Sequence, residues 1–498
     1  MNRNRQILFS FSFLVIFCVT LFAQEAPKTQ LKFNGVYNAW GLTQNEFLLG
    51  KVEYKDHYLV QMFRLNLAFM YGDNIKAVTR FDLGQGWWGV DNETPTYRAG
   101  GSGLFDNKGT HFFLHVDHAY LWFKLPDLNT SFNIGRFNWS VGNKLIIDNN
   151  YDGVGADIKF GSDILKLGWA RVSEGVDGLS DLSNTAKDQR GNFDGGDANL
   201  LLATYNTSFE GAKLEAYGMY YNDASIGDST AYLIDGFYYN RPRFTPQITS
   251  AAVFGVAGST KIDKLSIDFE ANYLTGKDKI DNKTHKGPLN TSPTAVDPLK
   301  YDINDGNLSG YNIYLKLNYA VVPDATLGAV FGLGSGDDDP TKGKGNINKL
   351  RTAGFFFLTE LWEDSIMPDE EGITPQGLGA PNVRAYRELE NTTAFQVNGS
   401  LNITKDWKFF TSFTYLTATQ PIYAWTAAGP NLALSAKDIG WEIDFKTDYK
   451  IFDNLTATLR AGYFKPGKAA QYLINGTDTW ARGVKNPLEL KSEITFVF

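Results

Sequence analysis

The chain has 498 residues, a formal net charge of −8, 14% aromatic residues, 49 glycines and one cysteine. The acidic balance excludes a basic nucleic-acid binder, and a charged fraction of 20% beside so many aromatics excludes a disordered acidic tail. No segment beyond the N-terminus approaches the roughly 20 apolar residues of a spanning helix, but a closed β-barrel crosses a bilayer with alternation alone, because its backbone groups are satisfied between strands.

Arg3 and Arg5 precede an apolar run from Ile7 to Phe22 that ends at Leu21-Phe22-Ala23. This pattern predicts a secretory signal peptide over residues 1–23, cut after Ala23, and a single barrel domain over residues 24–498. Cys18 lies between Phe17 and Val19, which do not fit a lipoprotein acylation site, so it is expected to leave with the signal. Only a few residues then precede the first strand, too few for a plug domain.

Leu31 to Trp40 is the first strand, and alternation is cleanest from Lys264 to Tyr273, where Lys264, Ser266, Asp268, Glu270 and Asn272 interleave with Leu265, Ile267, Phe269, Ala271 and Tyr273. Period two means one wet and one apolar face. It recurs at Asp438 to Tyr449 and Asn454 to Phe464. Tight turns are expected near Gly72-Asp73, Pro126-Asp127, Gly161-Ser162, Glu210-Gly211, Thr260-Ile262, Val322-Asp324, Lys405-Asp406 and Asp453-Asn454, separated by long polar loops. These turns pair sixteen strands, and the two terminal segments bring the total to about 18, all-β and antiparallel, with short periplasmic turns and long extracellular loops.

Tyr232 to Tyr239 is assigned to a loop, because an extra strand would make the number odd. In Ser131 to Asn138, Ser131 and Asn133 have opposite parity to Arg136, which a bulge would reconcile. The last strand, Leu488 to Phe498, carries apolar residues at alternating positions up to a terminal Phe498, which resembles the C-terminal assembly signal of bacterial outer-membrane proteins. The expected partners are therefore outer-membrane lipid and, through Phe498, the barrel-assembly machinery.

The wet parity places Lys32, Arg64, Lys76, Arg80 and Asp82 in the lumen, with Arg136, and later Asp268, Glu270, Glu442, Asp444 and Arg460. Arg64 and Arg80 lie nearly opposite Asp268 and Glu270 in a ring of about 18 strands, so a transverse field between a basic and an acidic wall is expected. The plainer alternative is that these charges solvate the interior and pair with neighbours. The longest loop, Gly336 to Asn391, holds the apolar stretch Gly354 to Leu361 and is expected to fold over or into the pore. Asp337, Asp338 and Asp339 could bind calcium, the one candidate cofactor; Asp302, Asn304, Asp305 and Gly306 resemble half of an EF-hand loop without its closing glutamate. Trp87, Trp88, Tyr97, Tyr423 and Trp425 could stack on sugar rings or simply form interfacial belts. For catalysis the chain is poor: His115 and His118, with His111 nearby, have opposite parity, and no nucleophile elbow, phosphate loop or zinc motif occurs.

Ile134-Gly135-Arg136, Gly142-Asn143, Asp148-Asn149-Asn150-Tyr151-Asp152-Gly153, the acidic Gly334-Ser335-Gly336-Asp337-Asp338-Asp339-Pro340 and Ser435-Ala436-Lys437-Asp438-Ile439-Gly440-Trp441-Glu442-Ile443-Asp444 together resemble the alginate-export family of outer-membrane porins. Phe137 departs from the Gln that often follows the Gly-Arg pair in that family. The resemblance implies an 18-stranded barrel with a charged, loop-constricted pore. The expected function is a passive channel for polar or anionic solutes such as acidic oligosaccharide or polysaccharide, not an enzyme. Two rivals remain: a barrel protease or lipase, and a surface-binding adhesin barrel.

Overall fold

A computed structural model describes residues 28–51, 53–91, 98–99, 113–173, 198–223, 250–278, 306–336, 358–362, 389, 391–426, 429–475 and 481–498. The signal peptide, His111, Tyr97, the stretch from Tyr232 to Tyr239, Asp302, Asn304 and Asp305 of the half EF-hand, and Asp337 to Asp339 lie outside them. The long strands in chain order are β1 (Thr29–Asn45), β2 (Lys55–Tyr71), β3 (Ile75–Trp87), β4 (Phe113–Leu125), β5 (Thr130–Ser140) and β6 (Asp148–Phe160). Then come β7 (Asp163–Ser173), β8 (Ala198–Phe209), β9 (Ala212–Asp223), β10 (Ser250–Ile262), β11 (Leu265–Asp278) and β12 (Gly306–Val322). The ring is completed by β13 (Ala325–Gly334), β14 (Thr392–Thr404), β15 (Trp407–Thr426), β16 (Gly429–Phe452), β17 (Leu455–Pro466) and β18 (Leu488–Val497), with helix α1 (Lys468–Asn475) between the last two.

Each strand pairs antiparallel with its neighbours in sequence, and β18 returns to β1, so the described residues form a closed barrel of 18 strands. Closure removes every sheet edge, the one way a sheet satisfies its backbone in hydrocarbon. The seam runs from Asn45 opposite Leu488 to Val36 opposite Val497. Gly35 and Phe498 then exchange two backbone hydrogen bonds of 2.9 and 3.1 Å, and the Phe498 ring lies 5.7 Å from that of Phe63.

All eight expected turns are present, and one reverses later than expected: β10 continues through Ile262, and Asp263 turns the chain with a positive φ of 50°. Gly161 and Gly211 turn the chain at φ 62° and 75°, where a Cβ would be strained. Both described ends of the chain lie at the turn end of the barrel, since Thr29 faces Tyr71 and Phe498 faces Gly35.

Outward residues are large and apolar all round the barrel: Phe33, Phe69, Phe254, Leu327, Phe395, Val397 and Phe445 are exposed. In a soluble protein so continuous an apolar exterior would drive aggregation; around a closed barrel it is the lipid-facing belt. With this apolar belt outside and a polar interior, the closed barrel crosses the bacterial outer membrane by its strands.

Two of the irregular places in the early strands have different causes. In β4 the register against β3 slips between Arg80 and Phe81, which face His118 and Val116, so Asp117 is the extra residue of a bulge. In β5 no residue is inserted: the register with β6 is unbroken from Thr130 to Ser140, and the change occurs at Gly135, whose φ is 122°. The expected bulge there is therefore corrected to a glycine kink.

Candidate pore and its inserted segments

Inside the barrel lies a cavity of about 1360 Å³. Among the described residues ten cations line it: Arg64, Arg80, Arg136, Lys261, Lys264, Lys316, Lys408, Lys446, Arg460 and Lys491. Six carboxylates join them: Asp82, Asp117, Asp148, Glu360, Asp444 and Glu493. The lining thus has the opposite sign to the whole chain. In a narrow aqueous passage this local excess governs the field, because charges farther than about 8 Å are screened at physiological salt.

Arg64 and Arg80 are inward, as parity requires, but they are neutralised where they stand. Arg64 forks onto Asp82 with bonds of 2.6 and 2.7 Å and lies 3.3 Å from Asp117, while Arg80 also pairs with Asp117. Asn150 donates to Asp117, and its carbonyl lies 3.1 Å from His118 Nε2. Two arginines and two aspartates form one network, so this wall is charge-balanced rather than basic. Strict alternation places Asp117 outside; the bulge turns it in, and it brings His115 and His118 to the same face, which parity had denied them. Lys76 lies over the Trp122 ring at 4.7 Å, and Arg136 approaches Asp152 at 3.9 Å.

The opposite wall is not acidic at the cavity. Asp268 faces Lys316 across the β11–β12 pair, and Glu270, though inward, is only 1% exposed. Among the described residues Lys261, Lys264, Lys316 and Lys408 have no carboxylate within 4.0 Å. Lys261, Lys264 and Lys408 stand beside the tight turns. The expected pair of opposed walls is thus replaced by a balanced cluster and, largely towards the turn end, a group of lysines that make no ion pair within 4.0 Å among the described residues.

Glu270 is covered because the chain after β5 folds inward. Residues 141–147 lie against the wall of β7 to β12: Trp139, Val141, Ile146 and Ile147 pack on Ala170, Leu200, Tyr217, Val253 and Leu274. Glycines make the room, since a Cβ at Gly168 would meet the Trp139 ring. Beneath the segment, Glu215 accepts the Gly142 N–H at 3.0 Å, and Glu270 accepts the Asn143 N–H and, at 2.7 Å, the Tyr217 hydroxyl. Burial of a carboxylate is tolerated only with such donors.

A second segment comes from the longest loop, whose described residues 358–362 fold into the lumen, as expected. Glu442, 0% exposed, accepts the N–H groups of Leu361 and Trp362 at 2.6 and 3.0 Å. Gln396 donates to the Leu358 carbonyl at 2.8 Å, and Trp362 stacks on Phe464 at 5.1 Å. Leu361 fills the space left by Gly462. Helix α1 packs beside it through Ala469, Ala470 and Tyr472, as do Phe47 and Leu49 of the first loop. Asp444 is buried and accepts from Ser412 at 3.1 Å, and Arg460 reaches Glu360 at 3.0 Å.

Of the aromatics, Trp87 is tilted against Tyr58 at 6.1 Å, Trp88 is exposed, and Tyr423 is half-buried; the Trp425 side chain lies outside the described residues. Trp40, Tyr314 and Phe410 are among the aromatics that line the cavity. Among the described residues no group of acidic and imidazole side chains could hold a metal ion.

No family model and no curated protein matches the chain. Among solved structures it is similar to OpdK of Pseudomonas aeruginosa, solved with vanillate, at 10% identity and a TM-score of 0.49, over 94% of this chain and 98% of that one. It is also similar to OccK8 (OprE) of the same organism at 12% identity and 0.49, over 94% and 98%. OccK11 (OpdR) follows at 10% and 0.47, over 96% and 99%.

Proposed function

We propose that this barrel is a passive channel for hydrophilic anions, with acidic oligosaccharides as the solute class, and that it carries out no reaction. The observation that carries the reading is the cation excess along the cavity, above all Lys261, Lys264, Lys316 and Lys408, in a chain whose net charge is −8. Free cations in a confined lumen raise the local concentration of anions and lower their entry barrier. The aromatic Trp40 and Phe410, which line the same cavity, offer apolar faces to a sugar ring. The sequence resemblance to the alginate-export family supports uronate-type solutes in particular.

The test is block of ion current through the purified barrel in a planar bilayer. A short oligouronate should interrupt the current at concentrations where a neutral oligosaccharide of equal length has no effect. Equal block by both would remove charge from the account and leave size alone as the filter.

A further inference from the structure

Across β16, β17 and β18, Lys446, Arg460 and Lys491 stand directly opposite one another. Like charges in facing positions destabilise a sheet, so this row needs anions. The wall supplies Asp448 to Lys446 at 3.4 Å, Glu493 to Arg460 at 3.9 Å and Glu489 to Lys491 at 3.0 Å; one more anion comes from outside the wall, Glu360 on the inserted segment, 3.0 Å from Arg460 and 3.8 Å from Lys491. Its backbone is pinned on both sides, by Gln396 at Leu358 and by Glu442 at Leu361 and Trp362. The carboxylate is therefore held at the row on a fixed tether, free to move only by side-chain rotation.

We propose that Glu360 is a built-in competitor: its carboxylate occupies the place on Arg460 and Lys491 that a permeating solute's carboxylate takes, and each solute must displace it. This rests on the anion-channel reading above and adds to it a residue that sets the affinity threshold. Glu360, Arg460 and Lys491 all line the same cavity, so displacement needs no movement of the segment. A partly exposed ion pair of this kind is worth about 1 kcal/mol, which is about fivefold in an equilibrium constant.

The experiment compares current block by digalacturonate in the wild type, E360Q, E360D and D148N. Asp148 also lines the cavity but pairs with Lys144, at 2.8 Å. The half-blocking concentration should fall about fivefold in E360Q. It should fall less in E360D, which keeps a carboxylate, and stay near wild type in D148N. Equal values in wild type and E360Q overturn the competitor role while leaving the channel reading intact. An equal fall in E360Q and D148N overturns it too, because a general field then explains both. If digalacturonate blocks none of the four, the anion-channel reading fails and the competitor with it.

Discussion

The two inserted segments use the same anchor for different ends. Residues 141–147 and 358–362 are each tied to the wall by glutamates that accept successive backbone N–H groups, the half-buried Glu215 with the buried Glu270 for the first and the buried Glu442 for the second. The first segment then buries apolar side chains and thickens the wall. The second is apolar at Leu361 and Trp362 but directs Glu360 at the cations of the lumen. The comparison teaches that an inward glutamate in this barrel is a fastening for backbone where it is buried, and a determinant of passage only where it faces the cavity.

The largest break in that parallel should come from Glu442→Ala. It leaves two buried N–H groups without an acceptor, a local cost of about 2–5 kcal/mol. Residues 358–362 should lose hydrogen-exchange protection and the conductance should rise while the barrel stays folded. Unchanged protection would mean that packing alone holds the segment. Gly462→Ala, which forces Leu361 aside, should have the same direction and a smaller size, about 1–3 kcal/mol. Gly168→Ala, under the Trp139 ring, should lower the temperature at which the folded barrel unfolds on a gel without changing conductance, because it disturbs the apolar cradle and no lumen charge.

Glu270→Gln should be milder, about 1–2 kcal/mol, since the amide carbonyl still accepts the Asn143 N–H, the amide NH2 donates to the Tyr217 oxygen, and the apolar contacts of residues 141–147 persist. Heat stability is the readout, and a large conductance change would show the first segment to be a gate like the second. The smallest effect on selectivity belongs to Arg64→Gln with Arg80→Gln, a modest shift towards cations, while heat stability should fall because the buried Asp82 and Asp117 lose their ionic partners. A reversal as complete as that expected from removing the free lysines would restore the basic-wall picture.

The barrel itself was legible from residues. Lys264 to Tyr273 alternate without a break and form β11 with their polar side inward, and the short turns count the strands because each must reverse the chain in a few residues. Two features were not legible. Parity cannot see an extra residue, so strict alternation puts Asp117 outside; only the register against β3 shows the bulge that turns it towards the arginines. Parity also says which face a residue takes but not what covers that face. Glu270 and Glu442 are inward as read, yet each lies beneath a segment that the chain folds over it from a distant loop. Glu360 had no signal of its own, being one acidic residue in a long loop.

The central claim, that the lumen and not the net charge of the chain sets selectivity, is tested most directly by the reversal potential of the purified wild-type barrel in a potassium chloride gradient. Its companion is the triple variant with Lys261, Lys264 and Lys408 changed to Gln. The account predicts a potential of the sign given by chloride preference for the wild type, moving towards zero or beyond it in the variant. A wild-type potential of the sign given by potassium preference, unaltered by the three substitutions, would contradict it.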